Sequence, residues 1–163
     1  MNTDLAQLAH DRYEIADTLH RYAFGLDHGD ADSLASAFTE DCIFDFRPAG
    51  RKLKIDFPKL NGREAIVNAL IPFLGPLDTS HTVSNLQIEA SDDSATLYAY
   101  VMSQHFMPRE GCQAGSENAL LMNRYDCELV ATARNGALSG SRLIMPGHKA
   151  IRKFLTPSRF AAL

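Results

Sequence analysis

HTVSNLQIEASDDSATLYAYVMSQHFM, residues 81–107, decides the fold. Two runs rich in Val, Thr, Tyr and Leu, His81–Ala90 and Ala95–Met107, flank the turn signal Ser91-Asp92-Asp93. That pattern reads as two long antiparallel strands. Downstream, Leu120–Ala131 alternates cleanly, with Leu121, Asn123, Tyr125, Cys127 and Leu129 on one face and Arg124, Asp126 and Glu128 on the other. Asn135-Gly136 is a hairpin signal into a last strand over Ala137–Met145. The polar, Gly-containing PREGCQAGSEN, Pro108–Asn118, is a loop between long strands.

Upstream, the period changes from two to 3.6. At about 100° per residue, Leu8, Ile15, Leu19, Tyr22 and Leu26 fall on one stripe. Glu14, Asp17, Thr18, Arg21 and Gly25 fall on the opposite side, which is expected to face solvent. His28-Gly29-Asp30 ends this helix, and Asp30 is positioned to cap a short second helix through Phe38. DCIFDFR, residues 41–47, reads as a strand and Pro48-Ala49-Gly50 as a turn. Asn61-Gly62-Arg63-Glu64 has capping-box spacing with Asn61 as the cap, opening a helix over Ala65–Phe73. Pro72 and Gly75-Pro76 mark its end. Helices first and long antiparallel strands afterwards make an α+β arrangement, with the helices packed on one face of a curved sheet that can close a cone-shaped pocket.

A single domain is the simplest reading of 163 residues, and no repeat, low-complexity tract or linker divides them. The net charge of −4 disfavours nucleic acid as a partner, because phosphate backbones call for a concentrated basic surface. Lys149, Arg152, Lys153 and Arg159 cluster near the end and read as a solvated tail. The three cysteines, Cys42, Cys112 and Cys127, show no CxxC spacing, which argues for a reducing compartment. MNTDLAQLAHDRYE lacks the basic and apolar regions of a secretory signal. With no membrane-spanning apolar run, the expectation is a cytoplasmic, soluble protein.

Asp27 stands out. It lies beside Ala16, His20, Ala23 and Phe24, on the flank of the buried stripe, at the helix end where a carboxylate costs roughly 0.3–1 kcal/mol against the dipole. His81 begins a strand, His105 shares a face with Leu97, Ala99 and Val101, and Arg142 shares one with Leu138 and Ile144. Asn123 also lies on an apolar face. Buried polar groups need partners, so these residues imply either a shared polar pocket or a structural network. There is no GxSxG, P-loop or GxGxxG, and the six histidines show no HxH or HExxH pairing, so no metal and no cofactor is expected.

The order Y-x-x-x-x-D at Tyr22–Asp27, then GDADSLASAFTED, NGREAI and SHTVSN, resembles the SnoaL-like family of the nuclear-transport-factor-2-like superfamily. The resemblance covers about residues 5–145 and leaves 146–163 as an extension. The layout is similar to that of scytalone dehydratase, hexachlorocyclohexane dehydrochlorinase and bile-acid 7α-dehydratase. It implies a cone-shaped α+β barrel, N-terminal helices on a strongly curved, mostly antiparallel sheet that encloses a pocket. It also implies that Asp27 orients a catalytic His81, that Tyr22 points at the substrate, and that His105 is a second catalytic histidine. Asn123 and Arg142 would line the pocket. The chain departs from the family's aromatic-rich last hairpin and has no Trp.

A carboxylate–imidazole dyad can remove an acidic C–H proton without a cofactor. The expected activity is therefore a dehydratase-type lyase or isomerase acting on a hydrophobic, ring-containing small molecule. Phe24, Phe44, Phe73, Tyr98, Tyr100, Met102 and Phe106 are the candidate walls. Two other classes stay open: a non-catalytic small-molecule binder, and an accessory subunit resembling the small subunit of ring-hydroxylating dioxygenases. An exposed, partly apolar sheet face would favour a homodimer or homotrimer.

Overall fold

Helix α1, Leu5–His28, runs 24 residues, and its burial begins at Ile15 and continues through Leu19, Tyr22 and Leu26. Leu8 is exposed although the stripe begins there. In this computed structural model residues 5–91, 94–111, 113–130 and 141–142 are described. A Schellman turn stops α1: the Gly29 N–H donates to the Leu26 carbonyl at 3.3 Å and the Asp30 N–H to the Gly25 carbonyl at 2.8 Å. Gly29 adopts φ +62, the left-handed geometry that glycine accepts most readily. Asp30 then caps α2, Ala31–Ser36, its carboxylate accepting from the N–H groups of Asp32 and Ser33.

This tight reversal lays α2 back over α1. Thr18 and Gly25, expected to face solvent, are buried as a result, because helical periodicity alone does not show that a second helix covers the far side. A Cβ on Gly25 would lie 2.5 Å from the Leu34 backbone nitrogen, so only glycine permits this approach.

Three corrections concern residues 41–62. The strand expected over 41–47 is only β1, Ile43–Phe44, paired with β2, Leu60–Asn61. The expected turn at 48–50 lies inside α3, Arg47–Leu53. Asp45 accepts from the Arg47 N–H at 3.1 Å and turns the chain out of the strand. Pro48 sits in the first helical turn, where a missing N–H costs nothing. The cap of α4, Arg63–Leu74, is Gly62 at φ 90 rather than Asn61, which is held in β2 opposite Ile43. Pro72 lies within α4, which ends at Gly75.

The main sheet has the antiparallel order β3-β4-β5-β6. Its strands are Asp78–Ser91, Ser94–Phe106, Asn118–Val130 and the short Ser141–Arg142. Most of the expected last hairpin, including Asn135-Gly136, falls outside the described residues, as does the 146–163 extension. His81, Ser103 and Leu121 lie directly opposite one another across β3, β4 and β5, and so do Thr79, His105 and Ala119. A bulge interrupts β3 between Ser84 and Gln87, with Asn85 at φ 52. Inner-face Leu97, Val101 and Leu129 join Ile15, Leu19, Leu26, Leu34, Phe44 and Ile66 in one core. The architecture is α+β, with helices on one face of an antiparallel sheet that stays open among the described residues. No helix among those residues is long and apolar enough to cross a membrane.

The Gly25 contact makes a test with a reversed sign. Alanine is intrinsically the better helix former by about 0.8–1.0 kcal/mol. Gly25→Ala is nevertheless expected to lower the unfolding free energy by about 1–3 kcal/mol, through the clash with Leu34. Urea denaturation of the two proteins measures it.

Candidate active site

Asp27 occupies the last turn of α1 and reaches across to the start of β3. Its Oδ1 accepts from His81 Nδ1–H at 2.6 Å and from Thr79 Oγ1 at 2.8 Å, and its Oδ2 accepts from the His81 backbone N–H at 2.8 Å. The side chains are 17% exposed for Asp27 and 3% for His81. Burial alone would raise the carboxyl's pKa. The ring and backbone hydrogen bonds from His81, its charge, and Thr79 outweigh that and hold Asp27 below the usual carboxylate range. Because a carboxylate only accepts, the His81 Nδ1 carries a hydrogen, and Nε2 is the ring nitrogen that Asp27 does not engage.

Around this pair the inner face turns polar. The His105 ring stands perpendicular to that of His81 with centroids 5.4 Å apart. His105 Nδ1–H donates to the Ala119 carbonyl at 3.3 Å. Burial, reinforced by His81, depresses the His105 pKa to about 4. His105 is therefore neutral near pH 7, with an Nε2 lone pair that can accept but not donate.

Tyr22 packs edge-on to His81 at 6.5 Å and to Tyr125 at 5.9 Å. Burial pushes both phenols up, Tyr125 to about 12 and Tyr22 well above the usual value, where the adjoining Tyr125 adds to the effect. Both remain protonated donors at neutral pH. Hydrogen bonding from Tyr22 and Asn123 works in the opposite direction on Tyr125. Asn123 Oδ1 and Ser103 Oγ are buried and have no hydrogen-bond partner among the described residues.

The sequence reading thus named Asp27, His81, Tyr22, His105 and Asn123, and the fold brings these residues to one region of the inner face. It passed over Thr79, Ser103 and Tyr125. Tyr125 already stood on the same alternating face as Asn123, and Ser103 is two residues from His105, so the strand period itself carried that signal.

Four of the expected substrate-binding residues lie elsewhere. Phe24 is 50% exposed and stacks on His28, one turn further along α1. Tyr98, Tyr100 and Met102 occupy the even positions of β4, opposite in parity to the buried Leu97, Ala99, Val101 and His105. They point away from the helices: Tyr100 is 38% and Met102 44% exposed, and Arg124 lies over the Tyr100 ring. Of the remaining candidate walls, Phe44 is buried, and Phe73 and Phe106 are half-buried. The backbone of Arg142 pairs with Glu128, and its side chain lies outside what is described. A groove lined by Gln87, Glu89, Tyr98, Asp126 and Glu128 crosses the sheet away from Asp27 and His81. Among the described residues no three of the His, Cys, Asp and Glu side chains gather in a way that could hold a metal ion.

Residues 7–138 match the SnoaL-like domain family. The chain belongs to that family. It is 30% identical over 127 residues to terrestric acid biosynthesis cluster protein E of Penicillium crustosum, covering 77% of this chain and 76% of that one. A type 2 hexachlorocyclohexane dehydrochlorinase shares the fold with a TM-score of 0.70 at 21% identity, covering 96% of this chain and 99% of that one. The Kfla4162 protein from Kribbella flavida does so at 0.68 and 24% identity, covering 94% and 97% of the two chains.

The depressed His105 pKa has a signed consequence. Its folded value of about 4 lies below the ordinary 6.5, so the unfolded chain binds the proton more readily between those values. Stability should therefore fall as pH drops from 6.5 towards 4, by roughly 2–3 kcal/mol from this residue. His105→Gln is expected to flatten that part of the profile, as measured by denaturant titrations at pH 7, 5.5 and 4.5.

Proposed function

We propose that this SnoaL-like protein is a cofactor-independent lyase or isomerase acting on a hydrophobic, ring-containing small molecule that carries an acidic C–H. The observation that carries this reading is the 2.6 Å hydrogen bond between His81 Nδ1 and Asp27. It fixes the tautomer and leaves Nε2 as a base on a face rich in polar groups.

In the proposed reaction, His81 Nε2 takes a proton from a carbon α or vinylogous to a carbonyl. The C–H electron pair moves into the enolate. The new imidazolium is stabilised by Asp27, and the buried Tyr22–Tyr125 phenols donate toward the developing oxyanion. Collapse of the enolate forms a C=C bond and expels a hydroxyl group with its electron pair, which leaves as water with the proton from His81. Without a leaving group, the same proton returns at a remote carbon and the product is an isomer. Proton return is assigned to His81, whose Nε2 holds the proton just taken. The dehydrochlorinase named among the structural neighbours is in keeping with an elimination of this kind.

A second reading has its own observation. Asp27 also accepts from Thr79 and the His81 backbone, so it bolts α1 to β3 whether or not any chemistry follows. On that reading the protein binds a ligand without converting it.

His81→Ala leaves the bolt's backbone bond in place and separates the two readings. Loss of water from a panel of cyclic β-hydroxy ketones, followed by mass spectrometry, is expected to fall about 10²–10⁴-fold in His81→Ala and in Asp27→Asn. Turnover unchanged in His81→Ala would overturn the lyase reading.

Self-association is proposed through the outer sheet face, where Tyr100, Met102, Met122 and Val130 are exposed. A homodimer or homotrimer that buries them should sediment as a monomer when Met102 and Met122 are both changed to Lys. Unaltered sedimentation would place the contact elsewhere.

A further inference from the structure

The inner face of β4 is apolar from Ala95 through Leu97, Ala99 and Val101, and then becomes Ser103 and His105. Ser103 is 1% exposed, and its Oγ has no hydrogen-bond partner among the described residues. A hydroxyl buried this way loses its hydration with nothing in return, and an alanine or valine in its place would not. The neighbours do not supply the missing bond. His81 spends Nδ1–H on Asp27, and His105 spends Nδ1–H on Ala119. In each ring Nε2 is the nitrogen that takes no part in these bonds.

Ser103 neighbours both histidines on the inner face. It lies directly opposite His81 on β3 and Leu121 on β5, with Val101 and His105 next to it on the same face of its own strand. Directly opposed residues have Cβ atoms about 4.5–5.5 Å apart. Among the described residues, the Ser103 Oγ–H is therefore an unpartnered donor on the strand position that faces His81.

We propose that Ser103 is a specificity-determining contact, its Oγ–H donating to an oxygen on the carbon next to the one His81 deprotonates. When that oxygen is a hydroxyl or an enol, its own O–H donates a hydrogen bond to the His105 Nε2 lone pair and keeps its proton. The site then selects rings that carry an oxygen at this position and discriminates against the same ring without it. The neutral state of His105 suits this, since a protonated ring would repel the ligand's donor. The inference deepens the lyase reading and rests on it for the position of the reacting carbon.

The probes are 2-naphthol, a planar stand-in for a ring enol, and naphthalene, its oxygen-free counterpart. Fluorescence titrations are made with the full chain, Ser103→Ala, Ser103→Thr and His81→Ala. The unaltered protein should prefer 2-naphthol roughly five- to tenfold, the worth of one hydrogen bond. Ser103→Ala should lose that preference and keep its affinity for naphthalene, and Ser103→Thr, which retains the hydroxyl, should recover it in part. The same preference in Ser103→Ala, or none in the unaltered protein, overturns the proposal. A Ser103→Ala protein changed only in thermal stability does the same. Failure of the lyase reading appears separately, as His81→Ala retaining turnover while the naphthol preference still tracks Ser103.

Discussion

The carboxylate of Asp27 accepts three hydrogen bonds, and all three come from Thr79 and His81 at the beginning of β3. A charge mostly removed from water is tolerable only when its lone pairs are filled, and here the donors of two consecutive inward positions fill them. The bonds bring the C-terminal turn of α1 against one particular place on the sheet. The apolar stripe of α1 could slide along a flat hydrophobic surface at modest cost, but a carboxylate with three fixed donors cannot. Helix position, His81 tautomer and ring orientation are therefore set by a single group.

From that anchor the inner face divides in two. Towards the far ends of β4 and β5, Leu97, Cys127 and Leu129 pack against the helices as an ordinary core. Towards the anchored end the same face carries His81, Ser103, His105, Asn123 and Tyr125, with Tyr22 facing them from α1. Burial shifts Tyr22, Tyr125 and His105 all towards their neutral forms, so these three groups make this end polar without adding charge. Such a setting suits the proposed chemistry, because a weakly solvated base and neutral donors act more strongly there than in water.

Much of this arrangement was legible from periodicity. The α1 stripe, the Asp30 cap, the two long strands and the inward set on β5 all follow from local spacing. Asp27 could be singled out because an acid at a helix end beside apolar residues calls for a partner. What local spacing omits is the element that folds back from elsewhere: Thr18 and Gly25 look solvent-facing until α2 covers them. The segment 41–53 misled because Pro-Ala-Gly suits a turn and a first helical turn equally well. Tyr98, Tyr100 and Met102 have the apolar character expected of pocket walls, but their parity is opposite to that of His105 and Val101 on the same strand. Ser103 is a small residue whose significance lies in a missing partner, which only coordinates reveal.

The bulge in β3 has an arithmetic that reaches the base itself. Before it, odd-numbered Thr79, His81 and Val83 serve the inner face; after it, even-numbered Leu86 and Ile88 pack on the core. One supernumerary residue lets a single strand be odd at its chemical end and even at its structural end. Ironing out the bulge while keeping every residue of the strand would force a choice: with Leu86 and Ile88 held in the core, the imidazole of His81 would turn to the opposite side of the sheet from Asp27. The strand's reading frame, counted in side chains rather than codons, is thus a one-residue determinant of whether this scaffold holds a dyad at all.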